Sequence, residues 1–417
     1  MISLLLAIAI GASSVLAQNS TVPKTCTIPS KYQSSNGTAD DSPAIASAFA
    51  ECKTGGTIVF EEGVDYNVFK PILAQNLTDV TISMNGNLHL PQDIESTRAL
   101  ILASTATIFW FDIKGSNVHW TGSESINNGW INSYGQQWWD ANPSNGTGIT
   151  GRPHLMVFNV KTGSIKRLKS RKPIAWNVQV KGSDIEISDS IVDAVSDKWE
   201  SFPFNTDAFD IGATDVKITN LVAFNGDDAV AVNDGAHNLY VSDSTIGYQT
   251  HGTYSFLGIY GELSGLTLSV GLSIGSLGKS QGKFANVSNI HFDRITVAGG
   301  LYAARLKSWV GGQGLVENVT WVSNPTGYAP VRMSTNTLSV GLVLFSLEAS
   351  EYKALSMPER QTARHPCANV TSQKITPLTN TTGATSASTM SPSQCSSPRP
   401  TSTKAAPARL TDRTTPA

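Results

Sequence analysis

The sequence predicts an all-β fold: a solenoid of stacked parallel strands, closed at its N-terminal end by a short helix and followed by a disordered C-terminal tail. Three observations predict it. From about residue 57 to Trp321 the chain is a run of short β-rich segments separated by Gly, Asn and Asp. Several segments repeat one pattern, an Asp or Asn, alternating apolar residues, a second Asp or Asn, and more apolar residues. Each repeat is too small to bury its own apolar face, so neighbours must stack. An antiparallel sandwich also spaces its strands regularly, but its strands need not resemble one another as these do.

The elements follow in order. Residues 1–17 read as a secretory signal, with an apolar run from Ile2 to Ala12 and small residues suited to cleavage before Gln18. Residues 18–321 form the β-solenoid domain. In it Asp41-Ser42-Pro43 is a helix start, with Ser42 as cap and Pro43 at the first helical position. Ile45, Phe49 and Cys52 then share one face, Gly55-Gly56 ends the helix, and Thr57-Ile58-Val59-Phe60 opens a strand. The repeats begin at Asp79, Asn117, Asp184, Asp215, Asn238 and Asn289, where Asp and Asn suit left-handed corners. Residues 253–271 break the rhythm with an almost uncharged insert. Residues 322–417 diverge from the coil pattern, and from about Thr371 they become rich in Ser, Thr and Pro, a disordered or mucin-like composition.

A secreted chain gives its four cysteines a meaning. Cys26 and Cys52 flank the first helix and are expected to pair, and Cys367 and Cys395 can pair in the tail, although sequence alone does not settle the connectivity. Asn-X-Ser/Thr triplets at Asn19, Asn36, Asn76, Asn145, Asn286, Asn318, Asn369 and Asn380 fit an extracellular glycoprotein. The formal net charge of −2 supplies no electrostatic case for nucleic acid or an anionic membrane. The apolar N-terminal run is too short to span a bilayer. The chain is expected to act as a monomer.

The chemistry concentrates in Asn205-Thr206-Asp207 and Gly226-Asp227-Asp228, three carboxylates among Phe, Ile, Ala and Val. Apolar neighbours and like charges shift protonation, which acid–base work requires. Either motif alone reads more readily as a turn corner, and only their combination with the downstream residues reverses that reading. Downstream stand His251-Gly252 and Arg305-Leu306-Lys307. Alternation places Arg305 and Lys307 on one side of a strand, where they suit a substrate carrying carboxylates. Taken alone, that tripeptide is an ordinary solvated strand face.

Together and in this order, these motifs resemble the polygalacturonase family of glycoside hydrolases, and most closely its secreted fungal exopolygalacturonases. The resemblance runs from about Cys26 to Trp321 and includes Gln137-Trp138-Trp139-Asp140, Arg152-Pro153-His154-Leu155, Ser170 to Asn177 and Leu272 to Gly278. It implies a right-handed parallel β-helix that hydrolyses the α-1,4 linkages of pectic galacturonan with inversion and no metal or organic cofactor. Asp227 would be the general acid, and Asp207 and Asp228 the bases acting on water. His251 would tune the acid or touch substrate, Arg305 and Lys307 would hold galacturonate carboxylates, and Asn205 would orient a sugar or a catalytic side chain. Acid and base would stand roughly 6.5–9.5 Å apart, and Asp227 and Asp228 could share a cleft only at a bend.

Two departures stand out. In the family, His-Gly runs almost directly into the Ser-Ile-Gly-Ser-Leu-Gly segment, whereas here residues 253–271 intervene, as a retained intron would. A competing alignment puts Val270-Gly271 in place of His-Gly and leaves the site without histidine. Beyond Trp321 the family's further coils are not recognisable, which would leave an exposed strand edge. These departures leave open a catalytically impaired pectin-binding β-helix. A rhamnogalacturonan or xylogalacturonan hydrolase is the alternative within the enzyme class.

Overall fold

The coils turn at residues in left-handed backbone, and these are the Asp and Asn that open the sequence repeats. In a computed structural model of the chain, Asp79, Asn117, Thr162, Asp184, Asp215, Asn238, Asn289 and Asn318 have φ between 52 and 59°. Left-handed backbone costs an L-residue about 1–2 kcal/mol, and the short polar side chains of Asn and Asp bear it best. The residue after each corner pairs in parallel register with its counterpart on the next coil, as in Val118↔Gly163, Ile185↔Val216 and Leu239↔Ile290. The corners therefore stack, and their side chains bond along the column. Asn117 donates to Asp79 at 2.7 Å, Asn238 to Asp215 at 2.7 Å, Asn289 to Asn238 at 2.8 Å and Asn318 to Asn289 at 2.7 Å. Arg167, Asp189, Asn220, Asp243 and Arg294 form a second left-handed corner column.

The structure describes residues 23–142, 148–198, 200–247, 270–280, 282–298, 302–309, 312–323 and 345–349. The chain divides into two compact units, Met1–Leu355 and Ser356–Ala417, and every described residue belongs to the first. The signal, residues 253–269 of the insert, Cys367, Cys395 and His251 lie outside the described residues. No helix among the described residues is long and apolar enough to cross a membrane.

The first unit is the expected right-handed parallel β-helix. Every strand pairing among its described residues is parallel, and long strands such as Phe109–Gly122 and Phe284–Ala298 bend from one face of the coil into the next. Side chains alternate inward and outward along each strand. On the face that carries the acids, the inward column Phe111, Met156, Val178, Phe209, Val230, Leu272 and Ala304 is buried throughout. The neighbouring outward column runs Asp112, Val157, Gln179, Asp210, Ala231, Ser273 and Arg305.

Helix α1, Ser42–Glu51, packs against strands Thr25–Thr27 and Ile72–Met84, burying Ile45, Ala48 and Phe49. Its N-cap is Asp41, not Ser42. The Ser42 hydroxyl instead donates to Asp40 at 2.6 Å and accepts from the Lys70 amide, which ties the helix start to the following coil. The expected disulfide joins Cys26 to Cys52, Cα atoms 6.2 Å apart. Two helices had no counterpart in the sequence reading: α2, Ile94–Leu102, and α3, Gly135–Asp140. Asp93 caps α2 by accepting from the Ser96 amide, whereas α3 is too short to show a period and is held by Trp138 and Trp139 packing on Ile174 and Ala194. The stack also continues past Trp321, because strand Phe345–Ala349 pairs in parallel with 319–323. It meets the edge that would otherwise stand open.

The corner columns make a direct test. Asn238→Gly removes the side-chain bonds but keeps the left-handed backbone cheap, whereas Asn238→Ala removes both. Urea unfolding is expected to show the Ala variant less stable than the Gly variant by about 1 kcal/mol; equal stability would contradict a conformational role for the corner.

Candidate active site

Two loops bring the acids together. Asp207 ends a turn at Phe204-Asn205, and Asp227 lies in a bend just before strand Asp228–Val232. The bend removes the alternation that would send Asp227 and Asp228 to opposite faces, as the sequence required. Thr206 and Asn225 brace the loops. The Thr206 hydroxyl donates to Pro203 carbonyl at 2.8 Å and accepts from the Gly226 amide at 2.8 Å. The buried Asn225 amide donates to the carbonyls of Thr206, Asp227 and Asp228 at 2.9–3.0 Å. A Cβ at Gly226 would lie 2.3 Å from the Pro203 carbonyl oxygen, so only glycine lets the loops approach this closely. Asn177 holds the Asp207 carbonyl from the preceding coil at 2.9 Å.

The result is one cluster. Asp207, Asp227 and Asp228 each present a carboxylate oxygen within 4.8 Å of the others, and all three residues are buried. Asp228 receives Ser273 Oγ at 2.5 Å, Arg305 Nη2 at 3.1 Å and Lys307 Nζ. Two cations from two coils further on thus face an acid in the groove, as their alternation around buried Leu306 foretold. They are paired with Asp228 here, where the sequence reading had assigned them to substrate. Asp227 accepts from Asn205 Nδ2 at 3.2 Å and from the Asp228 amide at 3.0 Å. Asp207 Oδ1 is buried with no hydrogen-bond partner among the described residues.

The acids approach one another closely at their nearest atoms. The nearest oxygens stand within 4.8 Å, whereas the roughly 6.5–9.5 Å of a two-carboxylate inverting site is a distance between carboxyl groups. The reason is local: Asp227 and Asp228 are consecutive, and the Thr206 and Asn225 braces draw the two loops together. A water hydrogen-bonded to two oxygens at about 2.8 Å each still bridges such a gap. The oxygens are also close enough for a cation, but Asp228 is already met by Arg305, Lys307 and Ser273.

Burial followed by mutual repulsion raises Asp207 and Asp227. Asp207 is pushed well above the carboxylate range, by burial first and then by Asp227, Asp210 and Asp228. Asp227 is pushed up to about 6 by burial and Asp228, against the pull of Lys307 and Arg305. A fourth acid, Asp210, which was not singled out from sequence, is pushed up to about 7 by burial and Asp228. It lies on the outward column between Gln179 and Ala231, and its signal was present in the stretch Asp207-Ala208-Phe209-Asp210. Arg152 was also missed as a site residue. It donates to Asn205 Oδ1 at 2.7 Å and to the Phe204 carbonyl at 2.6 Å.

Six of the seven expected site residues, Asn205, Asp207, Asp227, Asp228, Arg305 and Lys307, therefore meet in one cluster. The seventh, His251, lies outside the described residues. The residue that faces Asp228 across the ladder on the next coil is Val270.

Residues 70–255 and 265–397 match the family model for Glycosyl hydrolases family 28. The chain belongs to that family. The match passes Trp321, beyond the reach of the motifs alone. The chain is 54% identical over 289 residues to a probable exopolygalacturonase C of Aspergillus flavus, covering 69% of this chain and 61% of that protein. It is 53% identical over 296 residues to a probable exopolygalacturonase C of Aspergillus niger, covering 71% and 62%. The chain therefore spans less than two thirds of the length of these relatives. Among solved structures, an endo-xylogalacturonan hydrolase from Aspergillus tubingensis superposes with a TM-score of 0.58 at 27% identity over 76% of each chain.

Asp210 holds its proton to about pH 7, whereas in an unfolded chain it would release it near about 3.9. Folding takes up a proton there, so its contribution to stability is complete below about pH 4 and is lost as pH rises through about 7. Asp210→Asn, which stays neutral, is expected to gain about 4 kcal/mol over the parent chain between pH 4 and pH 8 in urea unfolding. Parallel stability curves would contradict a buried shared proton.

Proposed function

We propose that this chain is a secreted, monomeric glycosidase that hydrolyses α-1,4-galacturonosyl linkages of pectic galacturonan and releases galacturonate from chain ends. The observation that carries the proposal is the three-carboxylate cluster beside Arg305 and Lys307. Carboxylates and water suffice for glycoside hydrolysis, and cations in the same groove suit a sugar acid. The naming of the fungal relatives supports the substrate and the exo mode. The apolar segment at residues 1–17 and the Cys26–Cys52 disulfide support secretion.

In this reading Asp227, protonated under mildly acidic conditions, gives its proton to the leaving glycosidic oxygen. Water held by Asp207 and Asp228 attacks the anomeric carbon in the protonation state of the coupled set in which Asp227 carries the proton and Asp207 does not. A galacturonate carboxylate competes with Asp228 for Arg305 and Lys307. Substrate binding thus draws cations away from Asp228 and leaves it a better acceptor for the proton of water. Asn205 keeps Asp227 in place, and His251 is proposed to tune it. The protons belong to the cluster as a coupled set. No metal or organic cofactor enters the scheme.

A second reading, a β-helix that binds galacturonan without cleaving it, is favoured by the ladder register of Val270 with Asp228, because the competing alignment puts Val270 in place of the family's histidine. Removing residues 253–271 joins Gly252 to Leu272, which would put His251 at the position of Val270. The two readings therefore separate in one experiment. The purified chain, given polygalacturonate and xylogalacturonan, is expected to release galacturonate monomer from polygalacturonate from the earliest times. Asp227→Asn is expected to lower kcat by about 10²–10⁴-fold. The first product seen by proton NMR should be the β-anomer if hydrolysis inverts. Binding without release, cured by deleting 253–271, would establish the second reading; full activity in Asp227→Asn would remove the assigned acid, and faster cleavage of xylogalacturonan would change the substrate.

A further inference from the structure

We propose that Arg152 is a positioning residue, acting on the general acid Asp227 through Asn205. The proposal rests on the glycosidase reading of the cluster. An amide side chain can present either its oxygen or its nitrogen to a neighbour. Here the choice is made by a group that can only donate. Arg152 Nη2 occupies Asn205 Oδ1 at 2.7 Å, which leaves Asn205 Nδ2 to donate to Asp227 Oδ2 at 3.2 Å.

The guanidinium also fixes the backbone that carries the amide. Its Nη1 donates to the Phe204 carbonyl at 2.6 Å, one residue before Asn205, which sits in left-handed backbone at φ 56°. A third bond, from Nε to the Ile149 carbonyl at 3.1 Å, anchors the fork on the opposite side. Space for it depends on Gly148, where a Cβ would lie 2.4 Å from Nη2. The guanidinium carbon lies 5.7 Å from the Trp176 ring, and that ring packs on His154 at 4.5 Å between centroids. A planar fork with five donors can serve all these partners at once, and a lysine cannot.

The charge of Arg152 reaches further than its bonds. Burial lowers its proton affinity, and Asp227 and Asp207 restore part of it. By the same interaction, Arg152 favours the ionised forms of both acids. The other charged groups facing Asp227 are Asp228, Lys307, Arg305, Asp207 and Asp210. His154, held down to about 4 by burial and by Arg152, adds no positive charge at working pH. Removing Arg152 should therefore let both Asp227 and Asp207 keep their protons to higher pH. The acid would stay competent longer, the base would ionise later, and both limbs of the activity profile would move up.

The test uses the full chain with Arg152→Gln and Arg152→Lys, and two readouts. Arg152→Gln is expected to shift both limbs of the kcat–pH profile up by about half a unit to one unit and to lower kcat about 10–100-fold, with KM for polygalacturonate within about threefold. Arg152→Lys keeps the charge and folds with it, so its limbs should stay in place while kcat falls about tenfold for want of the fork. The carboxyl carbon of Asp227, followed by NMR titration, should rise in midpoint in Arg152→Gln whether or not the parent chain hydrolyses substrate. That readout separates failure of this proposal from failure of the glycosidase reading. An unmoved Asp227 midpoint, or an Arg152→Lys variant with parental kcat, overturns the proposal.

Discussion

The structure depends on in-register parallel stacking, which places equivalent positions of successive coils about 4.8 Å apart. That spacing turns distance along the chain into height along a sheet. Asp210, Ala231, Ser273 and Arg305 fall on one outward column although 95 residues separate the first from the last (305 − 210). The inward neighbours Phe209, Val230, Leu272 and Ala304 fill the core in the same register. A slip of one residue would turn both columns inside out, burying the charges and exposing the core. The bonded Asn and Asp corners oppose such a slip on every coil where they occur.

Stacking alone would scatter three like charges along a face. The site exists because Thr206 and Asn225 pull two loops together and Gly226 lets them touch. Crowding buried carboxylates is unfavourable, and two things offset it. Protons are retained by Asp207, Asp210 and Asp227, and Asp228 is met by Arg305, Lys307 and a serine hydroxyl. Such a constellation does little for the fold, which is what a functional site looks like when other local rules are satisfied. Arg152 belongs to this balance through its guanidinium, which is bonded to the Asn205 turn.

What could be read from sequence were the features encoded in neighbouring residues. Asp79, Asn117, Asp184, Asp215, Asn238 and Asn289 announced left-handed corners because few other side chains tolerate them. Arg305 and Lys307 flank an apolar residue, so their shared face followed from alternation. The bend at Asp227 was implied by requiring two consecutive acids in one groove. Illegible were the features made by meetings across coils. Arg152 reaches Asn205 over 53 residues, and Asn225 reaches Thr206 over 19. The stretch Arg152-Pro153-His154-Leu155 carries part of the family resemblance, but nothing in either neighbourhood shows which distant residue its side chain will reach. Ser42 looked like a cap because capping residues are recognised by type, and the structure assigns its hydroxyl to Asp40 instead. The final strand, Phe345–Ala349, was missed because it follows a stretch without the repeat pattern.

The central claim is that the acids form one buried, charge-coupled cluster. Its most direct test is a carboxyl-carbon NMR titration of the intact chain and of Asp227→Asn between pH 3 and pH 9. The account predicts carboxyls titrating at about 6 and about 7, assignable to Asp227 and Asp210. It also predicts a lower midpoint for Asp207 once the Asp227 charge is removed. Aspartates that all titrate in the ordinary range near about 3.9, with Asp207 indifferent to the change at Asp227, would contradict it.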